Sequence, residues 1–347
     1  MSSADLDPVA WTMRRYAEAP LRMTFRARDR DGALAWQGRL REKVTELIGG
    51  FPAERGALDV ARAEVREFPG YTREKITFVS RPGVAVLAYV LTPKGSGAGE
   101  RPFATVVCVP GHGGGVEEIV ADDGTGCQRS DDGTGYQRSF ALQAVEQGLA
   151  VVAIEPMGFG HRRDPLTLER GRPSACEPVS GSALLLGETM IGWRVWDVMR
   201  AIDYIETRPD LDAGRVGCVG ISGGGTCAMF SAALDPRIRC TYLSGYLNTF
   251  RASIMSISHC IDNYVPGILN WAEMYDVAGL IAPRPLFVES GRYDPIFPVD
   301  ASRESFRMVK HIYAVMGAED SVAQEIFEGD HRFHGERGWP FTINALL

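Results

Sequence analysis

The sequence has no surplus of positive charge: 37 Lys and Arg stand against 44 Asp and Glu, a net charge of −7. Such a chain presents no basic field to a phosphate backbone, so nucleic acid is not expected as a partner. It also lacks any apolar run of the ~18 residues that a membrane span needs. Its start, MSSADLDPVAWTMRRY, has no apolar segment behind a positive end of the kind that marks a secretory leader. A membrane partner is therefore not expected, and a cytoplasmic location is the default expectation. Its seven cysteines form no CxxC pair, and several sit inside apolar runs, as in VVCVP around Cys108 and VGCVG around Cys218. They read as small buried hydrophobes of a reducing compartment, and no His/Cys metal-ligand set is visible along the chain.

What the chain does have is enough apolar material, 45% of 347 residues, for a large core. Leu34, Trp36, Leu40, Val44, Leu47 and Ile48 recur at near-helical intervals before Gly49-Gly50, which predicts a helical N-terminal arm within residues 1–67. EKITFVS and VAVLAYVLTP then read as an antiparallel pair turned at Pro82-Gly83. Beyond KGSGAGERP the texture changes. FATVVCVP, GLAVVAIEP, RVGCVGIS, IRCTYLSG and RPLFVESG are short, continuously apolar runs, and VAQEIFEG reads as a last strand. Between two of them, IGWRVWDVMRAIDYIETRP places Ile191, Val195, Val198, Met199, Ile202 and Ile205 on one helical face and ends before Pro209. Runs without polar alternation suit strands covered on both sides, so residues 68–347 predict an α/β domain: a mostly parallel sheet with helices on both faces.

One block, DDGTGCQRSDDGTGYQRS at residues 122–139, is a nine-residue unit written twice, with Cys127 in the first copy and Tyr136 in the second. Two copies are too few for a stacked calcium-binding β-helix. Neither copy spaces acidic ligands toward a closing Glu as an EF-hand loop does. The block reads as a duplicated polar loop between the strand FATVVCVP and the helix near SFALQAVEQG.

The strongest chemical signal is VGCVGISGGGTCAMF. Gly220 to Gly224 match G-x-S-x-G, with an apolar strand before and a small-residue helix after, the context of a nucleophile elbow. Ser222 would then stand at a helix N-terminus, where backbone N–H groups favour developing negative charge. A serine needs a base and a group to orient that base, and in a parallel α/β sheet both belong at the carboxyl ends of later strands. RPLFVESGRYDPIFPV supplies Asp294 just past a buried strand, with Glu289 as a competing acid inside it. EGDHRFHGERG supplies His331 or His334; His331 is favoured because it lies nearer the strand end. The order Ser222, Asp294, His331 is that of an α/β-hydrolase triad. CVPGHGGG follows the first central strand, so the N–H of Gly223 and one from His112, Gly113 or Gly114 are the expected oxyanion donors. The long segment after IRCTYLSG brings His259, Tyr264 and Trp271 as candidate walls of a substrate pocket, and EPMGFGHRRD ends a strand at the same edge with Glu155, Arg162 and Arg163.

From about Phe68 onward the chain resembles α/β-hydrolases of the dienelactone hydrolase and acetyl xylan esterase kind, including relatives with an N-terminal helical arm. The matches are YTREKITFVSRPG, GHGGG, WDVMRAIDYIETRPDLDAGRVGCVGISGGG, GLIAPRPLFVESGRYDPIFP and EGDHRFHG. The resemblance implies an α/β-hydrolase fold and serine-dependent hydrolysis of small carboxylic esters, acetylated sugars among them, without a cofactor. In such relatives the histidine of an H-x-F segment is the base, which is similar to His331-Arg332-Phe333. Dienelactone hydrolase uses a cysteine nucleophile, so Ser222 favours the esterase side. A peptidase or amide hydrolase with the same triad, or a hydrolase-fold binding protein without activity, are the alternatives. The oligomeric state stays open, a homo-oligomer included. Because doubling a loop costs only roughly 0.6 kcal/mol, deleting residues 122–130 is expected to leave the melting temperature nearly unchanged and to alter KM for bulky esters but not for acetate esters. A deletion that unfolds the protein would show instead that the first copy is packed structure.

Overall fold

The computed structural model describes residues 6–94, 102–120 and 135–347. Most of the duplicated block, residues 122–134, lies outside them, and with it the reading of that block as a duplicated polar loop. Among the described residues the strands are β1 (Ala61–Glu67), β2 (Tyr71–Arg81), β3 (Val84–Pro93), β4 (Phe103–Val109), β5 (Ala150–Ile154), β6 (Leu211–Ile221), β7 (Ile238–Ser244), β8 (Leu286–Gly291) and β9 (Val322–Phe327). They form one sheet in the order β1-β2-β3-β5-β4-β6-β7-β8-β9. The pairs from β1 through β3 to β5 are antiparallel, and those from β5 across to β9 are parallel. The helices are α1 (Pro8–Ala17), α2 (Arg30–Leu47), α3 (Glu117–Val120), α4 (Phe140–Glu146), α5 (Pro165–Glu169), α6 (Cys176–Leu185), α7 (Met190–Glu206), α8 (Gly223–Leu234), α9 (Met274–Gly279), α10 (Val299–Val315) and α11 (Gly338–Leu346). None of the described helices is long and apolar enough to cross a membrane. This is the α/β-hydrolase fold.

The continuously apolar strands are explained by what covers them. Val152 and Ile154 of β5 face a core shared with α2, α7, α8, α9 and α10, whereas Val151 and Ala153 face a second core with α3, α4 and α11. The stripe of α7 packs into the first core through Ile191, Val195, Val198, Met199, Ile202 and Ile205, and the helix starts where the Thr189 hydroxyl accepts the Gly192 N–H at 3.0 Å. Since all parallel strands run one way, the loops after β4, β6, β8 and β9 meet at one edge of the sheet.

The N-terminal segment is less separate than its sequence suggests. Residues 61–67, expected within the helical arm, are strand β1, paired to β2. Trp36, Leu40, Val44 and Ile48 are buried in the main core, while Leu34 remains exposed on the opposite side of α2. Arg41 of α2 donates to the carbonyls of Ala233 (3.1 Å) and Leu280 (2.7 Å), at the carboxyl ends of α8 and α9, where a cation meets the negative end of the helix dipole.

Two buried carboxylates tie this arm to α9. Glu273 accepts the Tyr16 hydroxyl (2.8 Å) and the Phe250 N–H (2.8 Å), and Asp276 accepts the Phe25 N–H (2.9 Å) and, on its other oxygen, the Glu273 N–H (3.0 Å). Burial is the main cause that lifts the Glu273 pKa from 4.5 to about 7 and that of Asp276 from 3.8 to about 6, against these hydrogen bonds. A folded-state pKa above the unfolded value means that the native protein holds the proton more tightly. Stability from Glu273 is therefore full below its unfolded pKa and is lost as pH rises through its folded one. Between pH ~5 and ~8, urea unfolding of wild type is expected to lose up to about 3 kcal/mol relative to Glu273→Gln. Parallel stability curves for the two proteins would contradict this.

Candidate active site

Strand β6 runs straight into α8, and Ser222 sits at the junction with φ +56° and ψ −124°, a left-handed backbone rarely adopted by a residue with a side chain. The neighbouring glycines make the turn possible. A Cβ on Gly220 would lie 2.2 Å from the Gly224 carbonyl oxygen, and one on Gly224 would lie 2.0 Å from that of Val109 in β4. Both are backbone clashes that no rotamer change relieves. The elbow is pinned by the Ser222 N–H donating to the Ser244 carbonyl (3.0 Å) and by the Thr226 N–H donating to the Ser222 carbonyl (2.9 Å).

After β8, the loop turns so that Asp294 Oδ1 accepts the N–H groups of Ile296 (2.8 Å) and Phe297 (2.9 Å), which leaves Oδ2 for the His331 Nδ1, 2.7 Å away. A carboxylate so held fixes the imidazole's orientation and favours the tautomer with its proton on Nδ1. Phe297 and Tyr136 both stack on that ring, with centroids at 5.6 and 5.5 Å. Nε2 of His331 is buried with no hydrogen-bond partner among the described residues. It shares a cavity of about 430 Å³ with Ser222, lined also by His112, Tyr136, Ile257, Ser258, His259, Cys260 and Ile296.

The competing candidates lie elsewhere. Glu289 accepts the Tyr242 hydroxyl (2.5 Å) and the His334 N–H (2.9 Å), so it braces the loop after β9 from inside the sheet. His334 stacks on Phe327 (4.4 Å) with Nδ1 3.4 Å from Glu325 and does not line the cavity.

On the other side of Ser222, the GHGGG loop brings the His112 ring over Gly223: a Cβ there would lie 2.8 Å from His112 Nδ1. Gly223 is the first residue of α8, so its N–H has no acceptor one turn earlier in the helix. The Gly114 N–H is already donated to Glu118 (2.5 Å), which leaves His112 and Gly113 as the loop's candidates for a second donor. The loop is fixed by the Tyr136 hydroxyl donating to the His112 carbonyl (2.6 Å) and by Gln137, whose Oε1 accepts the Gly111 N–H (2.8 Å). His112 Nε2 lies 3.0 Å from the buried Asp262, which Arg194 of α7 also contacts at 2.5 Å. Burial alone would push the His112 pKa down; the Asp262 carboxylate outweighs it and lifts the value to about 9.

Of the expected pocket walls, His259 lines the cavity and packs edge-on against Phe297 (5.6 Å). Tyr264 and Trp271 do not line it. The Tyr264 hydroxyl donates to the Ile254 carbonyl (2.8 Å), and Trp271 carries Lys43 (4.5 Å) and Arg22 (5.2 Å) over its ring on the side of the N-terminal arm. Glu155 and Arg162 anchor loops: Glu155 accepts the Val116 N–H (2.9 Å), and Arg162 pairs with Asp197 (2.7 Å). Arg163 donates to the Gly160 and Arg172 carbonyls, both at 2.7 Å. Sequence reading missed Tyr136, Asp262 and Arg194. For Tyr136 there was a signal, since it is the one position at which the two copies of the nine-residue block differ.

A strand-turn-helix serine, a carboxylate-held histidine after the last strand and a glycine-rich loop after the first central strand together define the site of an α/β-hydrolase. A family model described as the Abhydrolase family matches residues 19–335, and this chain belongs to that family. The Bacillus subtilis protein named "Putative hydrolase YtaP" is 26% identical over 289 residues, covering 81% of this chain and 89% of that one. Among solved structures, a "putative acetyl xylan esterase" from Bacteroides fragilis superposes with a TM-score of 0.77 at 20% identity, over 93% of this chain and 82% of the other. A glucuronoyl esterase from Solibacter usitatus does so with a TM-score of 0.67 at 18% identity, over 94% and 97%.

Tyr136→Phe keeps the ring beside His331 and removes only the bond to the His112 carbonyl. A net hydrogen bond of ~1 kcal/mol corresponds to an expected fall in kcat of about fivefold on a short ester. An unchanged kcat would show that the phenol does not hold the loop in its working position.

Proposed function

We propose that this protein is a serine carboxylesterase that cleaves small acyl esters through an acyl-enzyme. The carrying observation is the unpartnered Nε2 of an Asp294-held His331 in the same cavity as Ser222 on its strained elbow. In this reading, Nε2 takes the Ser222 hydroxyl proton as Oγ attacks the carbonyl carbon, and Asp294 stabilises the imidazolium that forms. The negative charge on the carbonyl oxygen is received by the Gly223 N–H and by one from His112 or Gly113, at the positive end of α8. His331 then protonates the departing alkoxide and afterwards activates the water that releases the acid.

The cavity supports small acyl groups. Its walls pair Ile257 and Ile296 with the polar Tyr136, Ser258 and His259, and both ring nitrogens of His259 are buried without partners among the described residues. A site with an apolar side and free ring nitrogens suits an acetyl group on a hydroxyl-rich alcohol, and the names of two similar solved structures, a "putative acetyl xylan esterase" and a glucuronoyl esterase, support the same direction. Acetylated sugars are accordingly the proposed substrate class.

A panel of p-nitrophenyl esters, acetylated sugars and matched anilides tests this. Short esters and sugar acetates are expected to be cleaved, with Ser222→Ala lowering kcat by a factor on the order of 10⁴ or more and His331→Ala nearly as much, because triad members act as a unit. His334→Ala is expected to be mild. Retention of over about a tenth of the activity by folded Ser222→Ala would remove the nucleophile assignment, and cleavage of anilides in preference to esters would make the protein an amidase.

A further inference from the structure

His112, Cys176, Cys260 and Asp262 each turn one ligand atom toward a common point, all within 4.8 Å of one another. Three of the separations are explicit. His112 Nε2 lies 3.8 Å from Cys176 Sγ and 3.0 Å from Asp262 Oδ2, and Cys176 Sγ lies 3.2 Å from the same oxygen. Bonds of 2.0–2.3 Å in a tetrahedron give donor-to-donor edges of about 3.3–3.8 Å, so small shifts turn these contacts into a coordination shell. We infer that these four residues form a binding site for a thiophilic divalent cation of the zinc class, seated in the wall of the catalytic cavity.

Chemistry and surroundings agree with that ligand class. Two sulfurs, an imidazole nitrogen and one carboxylate suit a borderline-soft ion and are poor company for magnesium or calcium. Deprotonated, Cys176, Cys260 and Asp262 carry three negative charges, which one divalent cation and the Arg194 guanidinium neutralise together. Arg194 already reaches Asp262 Oδ2 (2.5 Å) and Cys176 Sγ (3.5 Å), and Asn263 Nδ2 donates to Asp262 Oδ1 (2.8 Å), so the outer hydrogen bonds that orient the ligands exist in advance. Binding exchanges the thiol protons for the cation and leaves His112 neutral with its proton on Nδ1. The entry path is the cavity itself, lined by His112 and Cys260. Because the His112 ring covers Gly223 and its peptide belongs to the GHGGG loop, a cation held there inhibits the reaction rather than assisting it.

The binding half of this inference stands apart from the esterase reading; the inhibition half rests on it. Chelator-treated, full-length protein is titrated with Co²⁺ and Cd²⁺ while thiolate-to-metal charge-transfer absorption is followed, with Zn²⁺ as competitor. One ion per chain is expected, with tetrahedral Co²⁺ bands that are lost in Cys176→Ser and in Cys260→Ser and kept in Cys127→Ser. Ester hydrolysis by wild type should fall with the same midpoint, and Cys176→Ser should hydrolyse at an unchanged rate with or without Zn²⁺. Absence of the charge-transfer band in folded wild type, or its survival in Cys176→Ser, overturns the site whether or not the protein is an esterase. A full band with no change in ester hydrolysis overturns the link to catalysis.

Discussion

The active edge of this molecule depends on a close approach of backbone to backbone. Helix α8 starts so near to β4 and β6 that a single carbon atom on Gly220 or Gly224 would collide with a carbonyl oxygen. That crowding holds Ser222 at φ +56°, a conformation that costs on the order of 1–3 kcal/mol and persists only where its surroundings leave no alternative. The two apolar cores on either side of the sheet supply that constraint, since β4 and β6 are buried in both. The serine is thereby lifted off the strand end and placed at the start of a helix, between two polar networks.

Each network is a way of holding a ring. On one side, Asp294, itself held by two backbone N–H groups, aligns His331 against Phe297 and Tyr136. On the other, Asp262 and Arg194 hold His112 against the start of α8. Tyr136 joins the two, with its ring on His331 and its hydroxyl on the His112 carbonyl. Arg194 also accounts for an oddity of α7, whose buried surface includes Arg194, Asp197 and Arg200. Charges so enclosed are tolerable only when paired, and here they pair with Asp262, Arg162 and Asp203. The helix thus carries core packing on one face and the electrostatics behind the site on another.

Strands β4 to β8 were legible in the sequence because burial on both faces leaves continuous apolar runs, β2 and β3 because Pro82-Gly83 marks the turn between them, and α7 because its apolar residues recur at helical spacing. Ser222 was legible because the elbow needs glycine at fixed spacing, and Asp294 and His331 because strand order limits where partners can stand. The arm's boundary was not. Of β1's seven residues only Glu64 and Arg66 are partly buried; the apolar positions of ARAEVRE, Ala61, Ala63 and Val65, are exposed, so its alternation marks no core face and the strand pairs through backbone at the sheet's edge. Trp271 and Tyr264 were misplaced because aromatic content does not say which side of a long crossover a ring faces. Asp262, Arg194, Cys176 and Cys260 carry no local spacing at all; they meet only because a short 3₁₀ turn after β7 (Ile261–Asn263), the start of α6 and the first half of α7 converge on the GHGGG loop.

The central claim is that Ser222 is the atom donor of a covalent intermediate. It is tested most directly by treating the folded protein with an organophosphonate and mapping the adduct by peptide mass spectrometry. The account predicts one phosphonyl group per chain, on the peptide holding Ser222, with labelling abolished in His331→Ala. A protein left unmodified, or labelled at a residue other than Ser222, would contradict it.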